Sequence, residues 1–249
     1  MNREEIAEAV GRYRRKHGLE GGRIRAALID MDGVLYDSMP YHTLAWHRMM
    51  SELGVECDRD EFYLYEGMTG RATIRLLFRR AFNRDVSDEE CARLYAVKTR
   101  YFNEFGQRKP MPGASEMLGV LRDHGIDRVL VTGSGQKSLI DTLRTDYPDM
   151  FADDRQVTAA DVTHGKPHPE PYLMGLRKAG VKPEEAIVVE NAPLGVEAGH
   201  TAGCFVCAVT TGPIPREKML DAGADLVFDS MREFAEWLPT LITVYSSGQ

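Results

Sequence analysis

Five short apolar runs set the tightest limit on the fold of this chain. They are Arg25-Ala26-Ala27-Leu28-Ile29, Arg128-Val129-Leu130-Val131, Ala186-Ile187-Val188-Val189, Cys204-Phe205-Val206-Cys207-Ala208-Val209 and Asp225-Leu226-Val227-Phe228. Runs of this length that stay apolar rather than alternating read as strands buried on both faces. Helical patterns separate the later ones, near 113–124, 136–145, 169–179, 193–202 and 215–222. Strand alternating with helix specifies an α/β fold with a parallel sheet between helical layers. From about 37 to 107 the alternation stops. Amphipathic patterns near 39–53, 58–65, 69–82 and 87–104 replace it. A helical cap domain over residues 37–107 is therefore expected, inserted after the first strand of an α/β core formed by 23–36 and 108–249. It would sit above the C-terminal strand ends, where open α/β sheets bind ligands. Residues 1–22 form an N-terminal helical extension. Ile6, Val10 and Tyr13 recur at helical spacing among charges before Gly18, and a solvated helix without chemistry is expected.

The composition excludes several functions. With 31 basic against 38 acidic side chains in 249 residues the net charge is −7, a poor match for a nucleic-acid backbone. No run reaches the ~18 apolar residues of a membrane span. Four cysteines, Cys57, Cys91, Cys204 and Cys207, make no disulfide framework and fit a reducing cytoplasm. A cytoplasmic monomer acting on a small molecule, with neither nucleic acid nor membrane as partner, is expected.

The chemistry collects where the strands end. The first run closes on Asp30-Met31-Asp32-Gly33, and strand alternation points Asp30 and Asp32 the same way. Two neighbouring carboxylates repel unless one protonates or both share a cation. The second closes on Thr132-Gly133-Ser134-Gly135, which offers hydroxyls and open backbone amides before a helix, a cradle for an anion. A single lysine follows in Gly165-Lys166-Pro167-His168-Pro169, and the next strand ends in Glu190-Asn191. Hard oxygen donors suit Mg²⁺. Carboxylates, an anion loop and one lysine describe phosphoryl transfer.

Asp30-Met31-Asp32-Gly33-Val34-Leu35-Tyr36-Asp37-Ser38, Thr132, Lys166 and Glu190-Asn191, in this order, resemble the four motifs of the haloacid dehalogenase superfamily over about residues 24–238. The resemblance implies a Rossmann-like core with a class I cap and a Mg²⁺-dependent aspartyl-phosphate mechanism. It implies Asp30 as nucleophile, Asp32 as acid and base, and Thr132, Gly133, Ser134 and Lys166 around the phosphate. Asp30, Asp32 and Glu190 would hold the metal, with Asn191 a neutral ligand or a water-orienting amide where other members carry a second acid. Val188–Gly199, Thr132–Gln136 and Gly165–Tyr172 are similar to the β-phosphoglucomutase-like branch, and within it to a group that includes a bacterial inorganic pyrophosphatase.

The cap decides between mutase and hydrolase. His42 falls where mutases carry a hinge histidine, and Lys98 falls near their phosphate-clamp lysine. Glu66 stands where mutases tend to have lysine. Gly70 stands at their clamp arginine, with Arg71 one residue late. Like charges ~5 Å apart at an effective dielectric of ~20 repel by ~3 kcal/mol, so Glu66 disfavours a sugar phosphate and favours a compact, metal-complexed anion. The expected activity is hydrolysis of pyrophosphate or a small phosphate ester, with β-phosphoglucomutase or a non-catalytic phosphometabolite binder as alternatives.

Other patterns carry less. Cys204 and Cys207 lie in a buried-strand pattern. His164 and His168 cannot form a metal-binding helix face across Gly165 and Pro167. Arg71, Arg75 and Arg79 share one helix face, read equally as solvated or as substrate-binding. Tyr65 and Met68 read as core residues that could also line the site.

Overall fold

The computed structural model describes residues 1–105, 109–135 and 137–247. Gln136 and the expected 107/108 domain boundary lie outside them. Six strands, β1 (Ala26–Ile29), β2 (Asp127–Val131), β3 (Gln156–Val157), β4 (Ala186–Glu190), β5 (Phe205–Val209) and β6 (Leu226–Phe228), form one parallel sheet in the order β3-β2-β1-β4-β5-β6. β1 is central. Ala27 and Ile29 enter one core layer, Ala26 and Leu28 the other, which is why its sequence is apolar without alternation.

Ten helices accompany the sheet among the described residues: α1 (Arg3–His17), α2 (Met39–Glu52), α3 (Gly70–Phe82), α4 (Asp88–Phe105), α5 (Ala114–Asp123), α6 (Lys137–Asp146), α7 (Glu170–Ala179), α8 (Pro193–Thr201), α9 (Arg216–Asp221) and α10 (Met231–Ser246). Helices α2, α3 and α4 all lie between β1 and α5, so the insert is helical, as the periodicity requires. The pattern at 58–65 yields only a 3-10 turn over Asp60–Tyr63.

Helix α1 corrects the expectation of a solvated extension. Asn2 and Glu5 close a capping box at its start. Ile6, Ala9, Val10 and Tyr13 are buried, and Tyr13 Oη donates to the Gly203 carbonyl at 2.7 Å while its ring meets Phe205 edge-on. Arg14 reaches the Tyr245 carbonyl of α10 at 2.7 Å. The four apolar residues have a partner surface because α10 lies beside them, an element that Pro239 and a β-branched run mask in sequence.

A carboxylate sits near the same seam. Burial pushes Asp225 up to about 6 even though its Oδ2 accepts the Val206 N–H and Lys16 and Arg12 lie near. The folded state therefore binds this proton more tightly than the unfolded chain does, and stability falls as pH rises through about 4 to 6. Asp225→Asn keeps an acceptor oxygen for Val206. It is expected to be more stable than the wild type by about 1–2 kcal/mol at pH 8 and equal to it below pH ~4. Urea denaturation at the two pH values checks this. A constant difference between them would contradict it.

Candidate active site

The site is built where β1, β2 and β4 end, and the helical insert closes it from above. Asp30 follows β1 and is 4% exposed. Its Oδ1 accepts from Lys166 Nζ at 2.5 Å. Lys166 also donates to the Val131 carbonyl at 3.1 Å and to Glu190 Oε1 at 2.6 Å, so its three protons are all placed. Burial, with Glu190 and Asp32 nearby, pushes Asp30 up to about 8 against the pull of Lys166. Lys166 is raised in turn, its two carboxylates outweighing its burial.

Asp32 has a different environment. Its Oδ1 accepts from Ser38 Oγ at 2.5 Å and lies 3.1 Å from His42 Nε2. His42 Nδ1 is 2.5 Å from Lys98 Nζ. An ammonium only donates, so Nδ1 is the acceptor and Nε2 carries the proton that points at Asp32. Burial alone would raise Asp32, but His42 and Ser38 bring it down to about 2. Lys98 is itself almost wholly buried, with its Nζ 5.3 Å from the Trp46 ring centre and 5.1 Å from that of Phe102, and His42 stacks on Phe102 at 4.1 Å.

On the second strand Thr132 Oγ1 accepts the Ser134 N–H at 3.0 Å, which fixes the turn of the anion loop. Gly133 is needed for space. A Cβ there would lie 2.6 Å from the Gly67 carbonyl oxygen, because the insert's Glu66–Thr69 loop rests on this turn.

Glu190 is held by four donors. Its Oε1 accepts from Lys166 and from Tyr172 Oη (2.8 Å), and its Oε2 accepts the amides of Asn191 (2.9 Å) and Ala192 (3.2 Å). A carboxylate offers about four acceptor positions, and protein donors take all of them. These contacts tie Glu190 to Lys166 and to the start of α8. Its neighbour behaves in the opposite way. Asn191 Nδ2 donates to Glu66 Oε1 at 2.8 Å, while Asn191 Oδ1 is a buried oxygen without a hydrogen-bond partner. Glu66, 8% exposed, is raised well above its ordinary value by burial and by the charges of Asp30, Glu190 and Asp32, against the Asn191 hydrogen bond.

Asp30, Asp32, His42, Glu66, Lys98 and Thr132 line one cavity of about 60 Å³, with Gly133, Ser134, Tyr65 and Met68 also in its wall. At roughly 10–15 Å³ per water that is room for about four to six waters. Lys166 and Asn191 join through Asp30 and Glu66. Arg71 does not. It faces a separate outer groove, 3.3 Å from Asp88. Arg75 and Arg79 pair with Asp88 and Asp85, so this helix face is solvated and charge-matched. Sequence reasoning missed Ser38 and Tyr172, although both lie inside the quoted motifs. His164 and His168 share no helix face, as Gly165 and Pro167 require, yet the loop brings their rings to 4.7 Å, beside Glu170, whose oxygens accept the Thr163 and His164 amides.

The donor set can be tested against a divalent cation. Four carboxylates (Asp30, Asp32, Glu66 and Glu190) face two ammonium groups (Lys98 and Lys166), which leaves a formal −2. Beside them lies the unpartnered amide oxygen of Asn191, whose Nδ2 donates to Glu66. A hard divalent ion answers both features.

A parallel sheet that presents acids and a hydroxyl loop at its strand ends, with a lysine reaching in from a loop, belongs to an α/β enzyme that works on phosphate. Residues 24–203 match the haloacid dehalogenase-like hydrolases, and the chain belongs to that family, among phosphatases and phosphomutases. It is a phosphoester-hydrolysing enzyme of this type. It is 32% identical to the phosphorylated carbohydrates phosphatase of Thermotoga maritima over 81% of this chain and 92% of the relative. It is 30% identical to hexitol phosphatase A of Escherichia coli over 85% and 93%. A solved Bacteroides vulgatus chain with a provisional beta-phosphoglucomutase name is 43% identical, with a TM-score of 0.95 over 99% of this chain and 100% of that one.

Proposed function

We propose a Mg²⁺-dependent phosphohydrolase that acts through an aspartyl-phosphate on Asp30, with inorganic pyrophosphate preferred over small phosphate esters. One observation carries this reading: the insert places Glu66 inside the core's acid cluster, hydrogen-bonded to Asn191, over a cavity of about 60 Å³. A sugar phosphate would meet a carboxylate where it needs a cation. Asp30, the Asp32 backbone carbonyl, Glu190 and Asn191, with Glu66 beside them, would hold the ion, which supplies charge neutralisation to phosphate oxygens when bound.

The chain's own groups divide the remaining work. Lys166 and the Thr132–Ser134 loop hold the transferring phosphoryl group. An Asp30 carboxylate oxygen forms the new P–O bond as the bond to the leaving phosphate breaks. A water then attacks the phosphorus, Asp32 takes its proton, and the Asp30–phosphate bond breaks. Held ionised by Ser38 and His42, Asp32 is set up as the base of the second half. A phosphate leaving group needs little protonation. A sugar alkoxide, whose conjugate acid has a pKa near that of water at ~16, needs an acid. The arrangement therefore suits an anhydride better than an ester.

The test is phosphate release with Mg²⁺ from pyrophosphate, sorbitol 6-phosphate, glucose 6-phosphate and phosphoglycolate, with β-glucose 1-phosphate plus a bisphosphate primer included for mutase turnover. Pyrophosphate is expected to lead in kcat/KM by about a hundredfold, ~3 kcal/mol in transition-state terms, and Glu66→Ala is expected to erase most of that lead. A sugar phosphate in first place, or an unchanged lead in Glu66→Ala, would refute the reading.

A further inference from the structure

The catalytic cavity ends abruptly, and the wall that ends it is thin. On its far side lies an outer groove of about 1050 Å³ between α3, α4 and the loop that carries Lys166. Three residues, Met68, Gly70 and Tyr95, line both spaces. The Tyr95 ring fills the ground that any side chain at position 70 would occupy. A Cβ on Gly70 would lie 2.2 Å from two of its ring carbons. Neighbours hold the ring in place: Trp46 at 6.1 Å between centres, and the buried Lys98 ammonium at 5.7 Å. Gly70 and Tyr95 are thus a matched pair, the missing side chain of one making room for the ring of the other.

We infer that Tyr95, seated on Gly70, is a partition that sets substrate size: it seals the catalytic cavity from a groove able to take the leaving group of a larger phosphate ester. The chemistry of the groove indicates which ester. Arg71 and Arg75 face it, but Asp88 meets both guanidinium groups, at 3.3 and 2.9 Å. Thr163, His164 and Glu197 supply hydroxyl, imidazole and carboxylate groups from the opposite wall. Paired charges and hydrogen-bonding groups suit a neutral polyhydroxyl chain and give a second phosphate no unmatched cation. The groove therefore fits the polyol part of a monophosphate such as a hexitol phosphate. This inference rests on the proposed compact-substrate reading, because it names the part that makes the cavity compact.

The experiment compares wild type, Tyr95→Ala, Tyr95→Phe and Gly70→Ala on sorbitol 6-phosphate and pyrophosphate, by kcat/KM, with circular dichroism to confirm folding. Tyr95→Ala is expected to raise the sorbitol 6-phosphate to pyrophosphate ratio by about tenfold or more. Tyr95→Phe, which keeps the ring, is expected to leave the ratio as in wild type. Gly70→Ala must push the ring aside and is expected to move the ratio in the same direction as Tyr95→Ala. It decides the matter should Tyr95→Ala not fold. Parallel losses on both substrates, or an unchanged ratio, would overturn the partition. The wild-type ranking tests the earlier reading separately. Should phosphoglycolate prove the best substrate, the ratio of sorbitol 6-phosphate to phosphoglycolate still reports on Tyr95.

Discussion

Asp30→Asn is expected to lower phosphate release by about 10⁴-fold or more, and in metal-free buffer to raise the melting temperature by a few degrees. The activity loss follows because an amide oxygen is a poor nucleophile toward phosphorus and forms no stable acyl phosphate. The stability gain follows from the local charge count. Asp30 is buried with Glu190, Asp32 and Glu66 around it, and burial is the largest influence pushing it up to about 8. Removing one of four crowded carboxylates relieves repulsion. Lys166 keeps its bond to Glu190 and can donate to the new amide oxygen, so it is not stranded. An uncompensated buried cation would otherwise cost several kcal/mol. Phosphate release and thermal unfolding of the same sample check both halves. More than about a thousandth of wild-type activity would remove Asp30 from the nucleophile's role. A lower melting temperature would show that the lysine pair outweighs the repulsion.

What could be read from the sequence divides along the range of the interactions. The strands were legible because β1, β4 and β5 are buried on both faces, so their apolar runs are continuous. Asp30 and Thr132 were legible because each follows a strand run, and Lys166 because it sits between Gly165 and Pro167 in a loop motif. Glu66 was readable as a charge in the insert's loop over the strand ends. The rest depends on contacts that no local pattern encodes. The donors that Glu190 meets, Lys166, Tyr172 and two backbone amides, come together only in the fold. Tyr95 and Gly70 are matched across two helices of the insert. The apolar face of α1 could not be told from a solvated helix without α10, and Pro239 hides α10. β3 is only two residues long, too short for any periodicity to show.

Gly195→Ala tests the least local of these arrangements. Helix propensity alone favours the change: alanine in place of glycine within a helix gains up to about 1 kcal/mol. The site predicts the opposite. A Cβ on Gly195 would lie 1.8 Å from Glu190 Oε1 and 2.0 Å from its Cδ. Two movements could relieve this. Glu190 could swing away, which breaks its hydrogen bonds to Lys166, Tyr172, Asn191 and Ala192 and leaves the lysine with Asp30 and the Val131 carbonyl. Alternatively, α8 could back off the sheet, but Val196, Ala198 and Gly199 are buried there, and a Cβ on Gly199 would already sit 3.0 Å from Val188. Either route is costly. The variant is expected to lose about 3 kcal/mol of stability and about a thousandfold in activity. The cause can be isolated. Glu190→Ala removes the colliding carboxylate, so in that background Gly195→Ala should be nearly neutral, with a coupling of about 2–3 kcal/mol between the two sites. Urea denaturation of the four proteins in this cycle measures it. Additive effects would mean that Gly195 serves the packing of α8 and not the carboxylate that holds Lys166.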